Sequence, residues 1–225
     1  MQVLVGCEKS GRIRDAFALR GAKAFSCDVL PDETGSAFHI QDDLRNVMRS
    51  RFFQSLDLFI AHPPCTRLCL SGAMWLHQDH PPPGKTYEEV AEEFRQGVKF
   101  FCHLWNSDLD NVVLENPEMH PMAKRQIQKY CPNLPRPEFY HPYMFGDPFF
   151  KLTGLWRRGV PRLRVGKEAL IPPADGPERQ RWKFVQNTKG GEDRSRTFPG
   201  FAQAIAAQWG PGAPWSEKDQ VTEND

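Results

Sequence analysis

Leu56-Asp57-Leu58-Phe59-Ile60-Ala61-His62-Pro63-Pro64-Cys65-Thr66 is the stretch on which the reading of this chain turns. Asp57–Ala61 is a short apolar run of the kind a strand buried on both faces requires. Two prolines then end it, because neither can donate to a ladder. Cys65 follows on the loop at the strand's carboxyl end, the place where ligands bind in an open α/β sheet. A thiol there, on backbone stiffened by two prolines, is a candidate nucleophile. A loop cysteine is more often a small buried apolar residue, so the flanking sequence has to decide between the two.

Outward from this run the first half alternates strand and helix. The pattern predicts strands at Gln2–Gly6, Lys23–Val29 (closing on Asp28), Asp57–Ala61 and Asn111–Leu114. Helices are predicted over Gly11–Arg20 with Ser10 as N-cap, from Asp42 or Asp43 to about Ser50, and from Thr86 to about Asn106. Continuous apolar strands between helices call for a doubly wound, mostly parallel sheet, an α/β fold. Pro31–Ile40 and residues 62–85 read as loops, the latter rich in His, Pro and Gly. Beyond residue 117 a helix is expected over Pro121–Tyr130, irregular structure over 131–150, a strand at Leu152–Arg157 and a closing helix over Pro199–Trp209. The organisation is one domain over 1–210, in which 157–195 is a small irregular insert, and a polar, disordered tail over 211–225.

Composition narrows the function classes. The 225 residues carry 40% hydrophobic residues and 20 prolines, which suits a globular chain with long defined loops. No stretch approaches the ~18 apolar residues of a membrane span, and the start lacks the features of a signal peptide. Six cysteines lie in or beside apolar runs, which suits reduced thiols in a cytoplasmic protein. The net charge is +1, so bulk charge does not argue for nucleic acid, but twelve lysines and arginines fall within 151–196 against five acids. The histidines and cysteines (His62, Cys65, Cys69, His77, His80, Cys102, His103) match no zinc spacing, and no metal is expected.

Four strand ends carry chemistry in chain order. Gly6-Cys7-Glu8-Lys9-Ser10-Gly11 is a small-residue turn that lets a ligand approach a helix N-terminus. Asp28 closes the second strand, where dinucleotide folds grip ribose hydroxyls, although a turn-capping role is equally open to it. Asp42 and Asp43 either contact an adenine amine or cap the next helix. Cys65 and Glu115 end the third and fourth strands. A carboxyl group bonded to a ring nitrogen makes a heteroaromatic ring electrophilic, and a thiolate can then add to it. Cys69 is the rival nucleophile. Trp75 is a core residue or a base-stacking one, and 77–85 a mobile lid or a plain surface loop.

Phe59–Cys65 with Ser71-Gly72, and then Val113-Leu114-Glu115-Asn116-Pro117, resemble the Pro-Cys and Glu-Asn motifs of DNA cytosine-5 methyltransferases. Arg196–Ala206 looks like that family's final cofactor-side helix. Phe145-Gly146-Asp147-Pro148 with Lys151, Thr153 and Leu155-Trp156 is similar to a compact phage and prophage branch. The resemblance implies the S-adenosylmethionine-dependent methyltransferase version of the Rossmann-like sheet, with S-adenosyl-L-methionine as cofactor and cytosine, in DNA, as substrate. Cys65 would attack C6, with Glu115 holding the ring N3 and amine and Asn116 beside it. The cofactor would lie against Gly6, Cys7, Glu8, Ser10, Gly11, Asp28, Asp42, Asp43, Pro63 and Gly200. Ser71, Lys151, Thr153, Arg157, Arg158 and Arg196 would face the base or nucleic acid.

The chain also departs from that family. Phe149-Phe150-Lys151-Leu152-Thr153 stands where the family carries two or three arginines, so Lys151 alone can supply charge there. Only 157–195 is left to act as a recognition domain. Two other readings stay open: the same chemistry on a free cytosine nucleotide, and a non-catalytic nucleic-acid-binding relative that uses the basic 151–196 region.

Overall fold

The computed structural model describes residues 1–73, 81–183, 188, 193 and 195–216. Trp75, His77 and His80, singled out above, lie outside these residues. Among the described residues seven strands form one sheet: β1 (Gln2–Gly6), β2 (Lys23–Asp28), β3 (His39–Gln41), β4 (Leu58–Ala61), β5 (Val112–Pro117), β6 (Glu138–Tyr140) and β7 (Thr153–Arg158). Their order is β3-β2-β1-β4-β5-β7-β6. β1 to β5 run parallel, and β7 pairs antiparallel with both β5 and β6. The doubly wound, mostly parallel sheet predicted from the alternation is the fold that forms.

Helices cover both faces. They are α1 (Arg12–Ala18), α2 (Leu44–Val47), α3 (Arg51–Gln54), α4 (Leu70–Ala73), α5 (Tyr87–Trp105), α6 (Pro121–Tyr130), α7 (Gly176–Trp182) and α8 (Pro199–Trp209). Leu4, Phe59 and Leu114 point to one face and pack with Phe94, Val98, Phe101 and Leu104 of α5 and Ile127 of α6. Val3, Val5, Leu58, Ile60 and Val113 point to the other, against Ile13 and Phe17 of α1 and Phe201, Ile205 and Trp209 of α8. Strand residues that alternate between two buried layers explain why the strands read as continuous apolar runs. α5 starts with a capping box: Thr86 Oγ1 accepts from Glu89 N–H, and Glu89 accepts from Thr86 N–H.

Several local expectations are corrected. Ser10 does not cap α1. Gly11 does, in a left-handed conformation with no side-chain bond, and the buried Glu8 carboxylate supplies the cap from outside by accepting from Ile13 N–H (2.8 Å) and Arg14 N–H (3.3 Å). The helix after Asp43 is not continuous: Asp43 caps α2, and Ser50 re-caps a second short helix, α3, by accepting from Phe53 N–H. β3, β6, α4 and α7 arise where loop was expected, each too short to carry a readable period. β7 extends through Arg158, so the irregular insert begins after it. Residues 211–216 are not a free tail: Ala213 is buried, Trp215 packs against the core and Pro214–Ser216 forms a 3₁₀ turn. No helix among the described residues is long and apolar enough to cross a membrane.

Candidate active site

The order of strands reverses between β1 and β4, and the crevice outside that point is the place where such sheets bind ligands. The register brings the predicted strand ends side by side. Gly6 is level with Cys27 and with Ala61, and Ala61 is level with Leu114. Asp28, Cys7, His62 and Glu115 therefore stand level with one another toward the carboxyl ends of β2, β1, β4 and β5, and Asp42 follows the partner of Asp28 on β3. β7 runs the opposite way, so its beginning, Lys151 to Thr153, reaches the same rim beside Pro117.

The loop that carries Cys65 is sewn to β5, which carries Glu115, and to the turn after it. The Asn116 amide, fully buried, donates to the Pro63 carbonyl at 2.8 Å. His62 N–H donates to the Gly6 carbonyl, and the N–H groups of Leu68 and Cys69 donate to that of Cys65. Further along, Leu70 N–H donates to the Glu118 carbonyl and His120 N–H to that of Leu68. A side chain on Gly72 would strike the Thr66 carbonyl, so glycine is required for α4 to close on the turn after Cys65. Ser71 lies on α4 beside this glycine. The nucleophile candidate thus sits on a turn fixed at three places.

Around Cys65 the electrostatics are specific. The adjoining Cys69 thiol, burial and the charge of Glu115 all push the Cys65 thiol up, and Lys151 pulls it down. Glu115 is buried, which alone would raise it, but the bond from His62 and the charges of His62 and Lys151 hold it below the usual carboxylate range. His62 Nδ1 donates to Glu115 Oε2 at 3.0 Å. Burial lowers Lys151 against the pull of Glu115 and Cys65, and its ammonium donates to the Arg196 carbonyl at 3.2 Å. Thr153 is buried, and its hydroxyl donates to the Lys151 carbonyl. Cys65, Glu115, Lys151 and His62 therefore form one electrostatically linked cluster. His62 has no place among the site residues predicted above; its position directly before Pro63-Pro64-Cys65 was the available signal.

The cofactor-side residues are distributed differently. Cys7 takes a left-handed conformation (φ 56°) and lets the turn bend back toward α1. Asp28 accepts from Leu30 N–H, and exposed Val29 and Leu30 flank it. Asp42 accepts from the Asn46 amide, while Asp43 is committed to capping α2 and to Arg45. Glu33 links Lys9 (3.6 Å) to Arg196 (3.0 Å), which brings the loop after β2 over the Gly6–Gly11 turn. Asp147 Oδ2 accepts from Gly200 N–H at 2.9 Å, and a side chain at Gly200 would strike the Phe145 carbonyl. The Phe145–Pro148 motif thus caps α8 and seats it on the fold.

Two predicted base-facing residues are not brought to the rim. Arg157 and Arg158 oppose Val113 and Val112, at the amino end of β5 and away from Cys65. Arg157 is paired with Glu138 (2.8 Å), and Arg158 donates to the carbonyls of Trp105, Ser107 and Leu109 at the end of α5. These two hold the fold at the far edge of the sheet. None of the six cysteines is in a disulfide, and no group of three metal-binding side chains occurs among the described residues.

No protein-family model and no curated protein matches the chain. Solved structures with a similar fold include a DNA modification methyltransferase, so described, encoded within an E. coli prophage: 14% identity, 79% of this chain and 52% of that one covered, TM-score 0.48. They also include an Entamoeba histolytica methyltransferase (13%, 75% and 57%, 0.46) and the S. pombe Dnmt2 methyltransferase (14%, 70% and 50%, 0.43). The chain spans about half the length of the structures it matches. The likeness is one of fold, and its structural neighbours are methyltransferases.

Proposed function

We propose that this chain is an S-adenosylmethionine-dependent methyltransferase acting on C5 of cytosine in DNA. The single observation that carries the reading is the meeting of Cys65 and Glu115 on adjacent strand ends, with the Asn116 amide tying the Cys65 loop to β5. The residues at the β1 and β2 ends suit the cofactor: a rim carboxylate, Asp28, fits the ribose hydroxyls, and the uncovered Val29, 65% exposed beside it, offers an apolar surface to the adenine. When bound, S-adenosylmethionine supplies an electrophilic methyl group.

The chain's own residues do the rest. Cys65 adds to C6 of the base, and Glu115 holds N3 and the exocyclic amine, so that charge developing on the ring is neutralised by a proton at N3. Lys151, whose charge acts on both Cys65 and Glu115, is the cation assigned here to the ring carbonyl oxygen. In a duplex the base must first leave the stack, which costs a few kcal/mol. The short stretch after β7 supports limited sequence recognition.

Labelled methyl transfer to duplex DNA, single-stranded DNA and deoxycytidylate tests this reading, and the best acceptor names the substrate class. Cys65→Ser should abolish transfer while cofactor binding survives. Full activity in that variant rules out the nucleophile. A 5-fluorocytosine acceptor should be trapped covalently on Cys65. Capture on Cys69 would move the chemistry one turn along, and no labelling of any acceptor at high enzyme concentration would sink the enzyme reading.

A further inference from the structure

His62 has a place in the cluster that neither the nucleophile nor the cofactor explains. Its side chain is 12% exposed; Nδ1 bonds Glu115 at 3.0 Å, and Nε2 is buried with no hydrogen-bond partner. A buried nitrogen left unpaired loses its hydration without replacement, a cost that a purely structural apolar residue of similar size would avoid. The charged groups facing the ring are Glu115 on β5 and Glu8 in the turn after β1, and Lys151 and Cys65 in turn face Glu115. Asn116 Oδ1, on the residue after Glu115, is likewise buried without a partner.

We propose that His62 is a positioning residue for the reaction: through its Nδ1–Oε2 bond it holds in place the proton that Glu115 lends to N3 of the base. This rests on the cytosine reading above. The steps balance as follows. The Cys65 S–H bond breaks and its proton leaves to water, and the S–C6 bond forms. The C5–C6 π pair moves to C4–C5 and the C4–N3 pair to N3, which takes one proton from Glu115. That proton reaches Glu115 from His62 Nδ1 as N3 takes it, so the pair passes from imidazolium and carboxylate to neutral imidazole and carboxylate. C5 then takes the methyl group that the cofactor supplies, using the C4–C5 pair, and the N3 pair returns to the N3–C4 bond. Water takes the C5 proton, the freed C–H pair re-forms C5–C6 as the S–C6 bond breaks, the N3 proton returns through Glu115 to His62, and the thiol recovers its own proton from water. The His62–Glu115 pair is a proton store that ends each cycle as it began.

His62→Asn separates this role from mere spacing, because its amide can donate to Glu115 from near the Nδ1 position but cannot carry a transferable proton. The probe is the acceptor that the wild type methylates, in plain form and with 5-fluorocytosine. Cofactor binding by calorimetry should stay within about threefold of wild type. Single-turnover transfer should fall about 100-fold, within the range of lost proton transfer. That loss should shrink on acidification, where solvent protonates Glu115 directly. A variant within threefold of wild type at every pH, or one slowed by the same factor at every pH, overturns the proton-holding role. Where His62→Asn no longer binds cofactor, His62→Gln replaces it with the same expected outcomes. If the wild type forms no adduct with any acceptor, the cytosine reading fails, and this role with it. An adduct in wild type with an unimpaired variant overturns the role alone.

Discussion

Cys65 answers to three neighbours, and each can be removed singly. Cys69 raises its thiol most, burial and Glu115 raise it further, and Lys151 opposes them. A thiolate is the reactive form, so these surroundings hold the Cys65 thiol in its less reactive form. The signs are fixed: taking away a group that raises the thiol makes the thiolate easier to form. Cys69→Ala should shift the alkylation of Cys65 by iodoacetamide to lower pH, and Glu115→Gln should do so by less. Lys151→Met should shift it to higher pH. Mass-spectrometric alkylation rates against pH check all three, and a shift of opposite sign in any one refutes the arrangement. On the cytosine reading Glu115→Gln also loses the proton given to N3, so transfer should drop about 10²–10⁴-fold with cofactor binding intact.

At the scale of elements, a buried ion pair anchors the loop after β2. Arg14 on α1 bonds Asp32 at 2.6 Å, both side chains are almost fully buried, and Ser26 of β2 accepts from the same guanidinium. Burial alone would raise Asp32, but donors from Ser36, Thr34 and Arg14 hold it far below the carboxylate range. A carboxyl group lowered in the folded state stabilises above its unfolded value, about 3.9, and loses that contribution as pH falls further. Asp32→Asn should therefore cost about 1.5–3 kcal/mol at neutral pH, because the buried Arg14 then keeps only Asp15 (2.7 Å) as a carboxylate partner, and the gap from wild type should narrow below about pH 4. Urea unfolding at several pH values measures it; a gap that widens on acidification contradicts the pairing. This pair also shows what sequence could not disclose. The long elements were legible because their burial imposes a period: β1 and β4 are continuous apolar runs, and α5 has a stripe from Val90 to Leu104. Cys65 and Glu115 were legible because they stand at the ends of such runs. Nothing in the sequence singles out Arg14 and Asp32, since only the folded loop brings residues 18 apart into contact. Glu8 capping α1 from beyond the expected Ser10 has the same cause.

At the scale of the whole molecule, the basic segment over 151–196 is largely occupied with holding the fold. Arg157 pairs with Glu138, Arg158 closes the end of α5, Arg179 bonds the Pro173 carbonyl beside the Phe150 ring, and Arg196 holds Glu33. Charges so engaged are not available to release counterions from phosphates. Exposed positions such as Arg164 and Lys167 remain outside these pairings. Each neutralised phosphate contributes about −0.9 to the slope of log K against log salt on duplex DNA. On the DNA reading, two or three such contacts would give a slope of about −2 to −3, which is shallow for a DNA-binding protein. Fluorescence anisotropy with a short labelled duplex between about 50 and 200 mM salt measures it. A slope steeper than about −6 would mean that the structural arginines let go of their partners to bind DNA. On the cytosine reading, a slope near zero, with deoxycytidylate methylated as well as DNA, would point to the nucleotide as the substrate, with the same roles proposed for Cys65 and Glu115.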